Sequence, residues 1–143
     1  MTLKIEGMDE LNAVLATLPA KFDKEATTLV NRTAQNIRNT AVKSIMKPSA
    51  VGDTYKKYAP RREHTASAPG SPPNTDTGRL AGSIRAVETG TPNAEVVAGA
   101  EYAPHLEFGT RNMAARPFMT PAVEQERDKF RKGLNELTDK AAR

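Results

Sequence analysis

The chain has 143 residues, 21 basic against 17 acidic side chains, a net charge of +4, two histidines, and no cysteine or tryptophan. That length makes one domain with room for a core, and the missing cysteines exclude a disulfide framework, a thiolate metal site and a thiol nucleophile. Aromatic residues are 5% of the chain, mean hydropathy is −0.58, no apolar run nears the roughly 18 residues of a membrane span, and MTLKIEGMDE lacks the apolar stretch of a secretion signal.

The composition therefore predicts a soluble intracellular protein with a thin core, one that borrows burial from partners. Leu11, Val14, Leu15 and Leu18 recur at helical spacing behind Asp9 as an N-cap, and Pro19 ends that short helix. A longer amphipathic helix is predicted over 20–46. Phe22, Ala26, Leu29, Val30, Thr33, Ile37, Ala41 and Ile45 form its apolar stripe, while Lys24, Arg32, Arg38 and Lys43 lie elsewhere. Pro48 closes it. Residues 47–75 contain five of the ten prolines and show neither a helical nor a strand period. They read as an extended flexible loop, basic through Lys47, Lys56, Lys57, Arg61 and Arg62, with Tyr55 and Tyr58 interleaved.

Beyond the loop the period shortens. Asp76 or Thr77 caps a brief turn carrying Leu80 and Ile84, and residues 83–89 and 94–100 read as two strands joined by Gly90-Thr91-Pro92-Asn93. Over 102–108, Tyr102, Leu106 and Phe108 share one parity and His105 and Glu107 the other, as in a half-buried strand. Pro104 argues instead for an edge, a bend or a helical turn. A last helix starts at Thr120 as N-cap with Pro121 in its first position. Val123, Phe130, Leu134, Leu137 and Ala141 form its stripe, and Asp128–Lys132 and Glu136–Lys140 are expected ion pairs. The expected architecture is α+β, a single domain over 1–143: helices, a long Pro-rich basic loop, a small antiparallel sheet and a C-terminal helix.

Little in this sequence points to catalysis. Neither His64 nor His105 has a nucleophile or orienting partner at a recognisable spacing, and there is no nucleophile elbow, Walker loop or dinucleotide fingerprint. His105 and Glu107 would point the same way from a strand, but no third metal ligand accompanies them. No cofactor, metal or enzymatic activity is expected. The basic loop with its tyrosines suits either a protein partner or a nucleic-acid backbone. The nucleic-acid alternative would use residues 47–64 and the Lys/Arg face of the 20–46 helix.

Three motifs stand in order: TDTGRLAGSI at 75–84, YAPHLEFGT at 102–110 and RPFMTPAVEQ at 116–125. Together they resemble the head–tail joining, or tail-completion, family of long-tailed bacteriophages, which includes minor tail proteins. The resemblance implies a non-enzymatic virion protein of the phage neck, made in the host cytoplasm and assembled as a homo-oligomeric ring. A hexamer is favoured, with a dodecamer as the alternative. It implies tail-tube or terminator and head-completion or connector proteins as partners, passing contact with genomic DNA in the channel, and no membrane. Thr77, Gly78 and Leu80 would form the turn and anchor that re-enter the sheet. Tyr102, Leu106, Glu107, Phe108, Gly109 and Thr110 would form a packed segment closed by a turn in which Gly109 takes a positive φ. Arg116, Pro117 and Phe118 would lead into the last helix. Tyr55, Lys56, Lys57, Tyr58, Arg61, Arg62, Glu107 and Arg116 are the expected partner-contact residues.

Overall fold

The computed structural model describes residues 1–4, 22–47, 51–58 and 61–143. The short helix expected behind Asp9 lies outside them. Three strands make one antiparallel sheet in the order β1-β5-β4: β1 (Thr2–Lys4), β4 (Ile84–Gly90) and β5 (Asn93–Ala98). The β4–β5 hairpin is where the sequence places it. Along β5, Ala94, Val96 and Ala98 are buried and alternate with half-buried Asn93, Glu95 and Val97, the two-residue period of a sheet with one covered face. The sequence reading omits β1. It is held along β5 by ladder pairing, and at its start the Met1 amine donates to the Ala98 carbonyl (3.1 Å) while Ala98 N–H donates back to Met1 (2.9 Å).

Helix α1 (Asp23–Met46) packs against β4 and β5. Ala26, Val30, Thr33, Ala34, Ile37, Ala41 and Ile45 form its buried stripe. Asp23 and Glu25 in its first turn and Lys43 in its last complement the helix dipole. Nine of the nineteen buried hydrophobic residues among those described are alanine, so the core is made by close approach rather than by large side chains.

Helix α4 (Met119–Ala141) packs on α1. Lys140 lies 3.9 Å from Glu25, Gly133 faces Leu29, and Asn36 donates to Glu126 at 3.3 Å, so the two helices run antiparallel. A Cβ at Gly133 would fall 2.8 Å from Leu29 Cδ1. The glycine costs the helix about 1 kcal/mol of propensity but lets the pair close. Among the described residues α4 forms the ion pairs Lys129–Glu126 (2.9 Å) and Lys140–Glu25, and not the expected Asp128–Lys132 and Glu136–Lys140.

Two expectations are corrected. Residues 47–75 are not one structureless loop: β2 (Val51–Tyr58) and β3 (Arg61–Ser67) pair as an antiparallel hairpin. Its strands carry no apolar alternation because neither face is deeply buried, so periodicity has nothing to report. Residues 102–108 are not a strand either. They contain helix α3 (Ala103–Phe108), with Pro104 in the first turn, where a helix accepts proline. The helical period turns Ala103 and Glu107 inward and leaves Phe108 70% exposed, the reverse of the strand parity. It also points His105 and Glu107 apart, His105 exposed and Glu107 buried.

Candidate functional site

The register of the β2–β3 hairpin builds a strongly charged region. Tyr55 pairs with His64 and Lys57 with Arg62, which puts these four side chains on one face. Thr54–Thr65, Lys56–Glu63 and Tyr58–Arg61 occupy the other, with the two threonine hydroxyls 2.9 Å apart. Near Val51 the ladder is irregular. A Cβ on Gly52 would lie 2.6 Å from the Ser67 carbonyl oxygen, so only glycine fits that crossing.

Beyond β3 the chain doubles back along the first hairpin face. Asp76 receives Lys57 Nζ and Arg62 (3.2 Å), and His64 Nδ1 stands 3.8 Å away. The hydrogen bond from Lys57 does most to hold the Asp76 carboxyl below its ordinary value. Desolvation opposes it, and the charges of Arg62, Lys57 and His64 add to the lowering. Asn74 Nδ2 donates to the Thr65 carbonyl (3.0 Å), and Arg116 Nε donates to the Ser67 carbonyl (3.2 Å). The hairpin is thus tied down by one carboxylate and by two side-chain hydrogen bonds to its main chain.

Between hairpin and body lies a cleft of about 470 Å³. Ile45, Leu80 and Leu106 give it apolar lining, and Lys57, Arg62, Arg79 and Arg116 bring four positive charges against the one of Asp76. Among the described residues, none is a hydrogen-bond partner of the buried Arg62 Nε. Thr77 and Gly78 also line the cleft. Gly78 takes a positive φ of 77° as the N-cap of helix α2 (Arg79–Ser83), Arg79 N–H reaches Thr77 Oγ1 at 3.4 Å, and Leu80 is buried; Ile84 then starts β4. The N-cap of this short helix is Gly78, not the expected Asp76 or Thr77, and Asp76 is instead turned to Lys57 and Arg62.

Glu107, expected as a partner-contact residue, is 3% exposed. Its Oε2 accepts the N–H groups of Phe118 (2.9 Å) and Met119 (3.0 Å), and its Oε1 accepts Thr120 N–H (2.8 Å) and the Thr120 hydroxyl (2.6 Å). A side chain from α3 thus caps α4, a role expected of Thr120, and the helix begins at Met119. Burial pushes the Glu107 carboxyl up, but the hydrogen bonds from Thr120, Met119 and Phe118 outweigh it, and the group sits below its ordinary value. No signal in the sequence marks this cap, because donor and acceptor lie eleven to thirteen residues apart.

Gly109 does take a positive φ, of 76°, and a Cβ there would meet Ala115 N and Met113 O at 2.9 Å. Thr110 bridges Met113 across the turn. Arg116 N–H donates to Leu106 O (2.6 Å), and Phe118, 1% exposed, is the N-cap residue of α4 beyond half-buried Pro117. Tyr102 lines the cleft, whereas Phe108 faces away from the core. Among the remaining expected contact residues, Lys56 and Arg61 are exposed, and Tyr55 and Tyr58 are open to solvent, Tyr58 at 78%. No family model, curated protein or solved structure matches this chain.

Proposed function

We propose that this protein is a structural, non-enzymatic component of a phage virion, a homo-oligomeric ring at the neck that completes the tail and joins it to the DNA-filled head. The observation that carries this reading is that residues of the three motifs behind the resemblance line one cleft. TDTGRLAGSI supplies the α2 turn, YAPHLEFGT the α3 segment, and RPFMTPAVEQ the start of α4, and Glu107 and Arg116 bind the last two together. Beside this unit Val51, Tyr55 and Tyr58 lie exposed on the hairpin, apolar surface that a neighbouring subunit would cover. Six-fold symmetry suits a tail tube and twelve-fold a portal, and six is favoured.

The test is labelling of intact particles with an antibody against the protein, together with electron microscopy of the purified chain. Label confined to the head–tail junction and ring-shaped assemblies are expected. Particles without the protein at that junction would sink the proposal.

One observation favours a second reading, a nucleic-acid-binding module. Lys56, Tyr58 and Arg61 are exposed together on the outer hairpin face, a cation–aromatic surface suited to a backbone. On the helix side, Arg38 is already engaged, donating to Ile84 O at 3.3 Å. A salt titration separates the readings, since backbone binding weakens with a slope near −0.9 per phosphate contacted.

A further inference from the structure

We propose that the cleft beneath the β2–β3 hairpin is a docking site for an acidic peptide segment of a partner protein, one that carries an apolar residue beside its carboxylates. The inference deepens the assembly reading and rests on it for the class of ligand, a protein.

The first argument is charge. Lys57, Arg62, Arg79 and Arg116 converge on one concavity with a single carboxylate, Asp76, among them. That carboxylate is held by Lys57 and Arg62, while among the described residues Arg79 and Arg116 are in no ion pair, Arg116 Nε donating only to the Ser67 carbonyl. Arg62 brings its guanidinium to the cleft through Nη2, 3.2 Å from Asp76, while its Nε is buried without a hydrogen-bond partner among the described residues. Guanidinium groups present planar donor pairs that match carboxylate geometry.

The second argument is the lining. Ile45, Leu80 and Leu106 form apolar wall, and Tyr102 stands at the cleft. A nucleic-acid backbone needs cations spread along an exposed track and gains little from an apolar wall. A peptide with apolar side chains flanking its carboxylates satisfies both halves of this surface. At about 470 Å³ the cleft holds a few residues.

The experiment is titration of the purified full chain with the blocked hexapeptide acetyl-Gly-Leu-Glu-Asp-Leu-Gly-amide at low salt, read by calorimetry. The same sequence with Gln-Asn for Glu-Asp, inorganic phosphate and a duplex DNA oligonucleotide serve as comparison arms. The acidic peptide is expected to bind at least about tenfold more tightly than its amide counterpart, the loss expected for one charge-assisted hydrogen bond. Hydrogen exchange should slow in 61–67 and 75–80 when it binds. Arg79→Gln, on an exposed side chain, should weaken binding by about tenfold with unchanged thermal stability. Arg62→Met should do so as well.

Equal binding of the amide peptide, or unchanged affinity in both variants, overturns the proposal. Tighter binding of DNA or phosphate than of the acidic peptide overturns it too. The titration is made on the isolated chain, so its failure is distinct from failure of particle labelling or of ring formation.

Discussion

Glu107 shows how one side chain joins two elements. A carboxylate at a helix N-terminus is favoured by the dipole and by free N–H groups, and here it meets three such groups and a hydroxyl at once. Glu107→Gln replaces one acceptor oxygen by a donor that faces N–H groups. A loss of about 1–3 kcal/mol in urea unfolding is expected. Because the folded-state value is depressed, the stability this carboxylate contributes is present above its ordinary range and is lost as pH falls through the folded value. Stability should therefore drop below about pH 4.5 in the parent chain, and the glutamine variant should show a shallower acid limb. Gly109 is constrained differently. Any side chain there meets both a positive φ and backbone atoms at 2.9 Å, neither of which a rotamer change relieves. Gly109→Ala should cost at least about 1–3 kcal/mol, read as a lowered unfolding midpoint, whereas Gly78→Ala, with open space around its Cβ, should cost less.

At the scale of elements, the hairpin behaves as an arm fastened at a few points. Its two strands pair with each other, and Asp76 gathers Lys57, Arg62 and His64 from one of its faces. Asp76→Asn is expected to raise amide exchange across 61–67 and to speed tryptic cleavage at Lys57 and Arg62, with little change in global unfolding because the pairs are solvent-screened. The Asp76 carboxyl is also held below its ordinary value, so the fastening is present at neutral pH and is lost as pH falls through the depressed value. Paired strands change the expectation for the free chain. Cleavage at Lys56, Lys57, Arg61 and Arg62 should be slower than in an unstructured loop, and digestion as fast as that of the denatured chain would contradict the hairpin.

At the scale of the whole molecule, the surfaces left open are those an assembly would use. Among the described residues β4 is an edge strand, and an open edge is a site for pairing with another chain. Val51, Tyr55, Tyr58 and Phe108 expose apolar area that the single chain does not cover. If the proposed ring forms, Tyr55→Ser with Tyr58→Ser should leave the circular dichroism spectrum unchanged and shift light-scattering mass from oligomer to monomer. An unchanged oligomer would remove the hairpin from the interface.

By itself the sequence determined the elements whose burial is periodic. The stripe from Phe22 to Ile45, the alternation of Ala94, Val96 and Ala98 and the Gly78 and Gly109 turns are local patterns, written by which side chains face the core and which φ values the chain needs. Only the tertiary structure decided the rest. The 51–67 hairpin hides because neither face is deeply buried. The 102–108 segment is helical because Ala103 and Glu107 both turn inward, and Glu107 stays charged there only because α4 brings its N–H groups to meet it. Those outcomes depend on partners distant in the chain, and no local period records them.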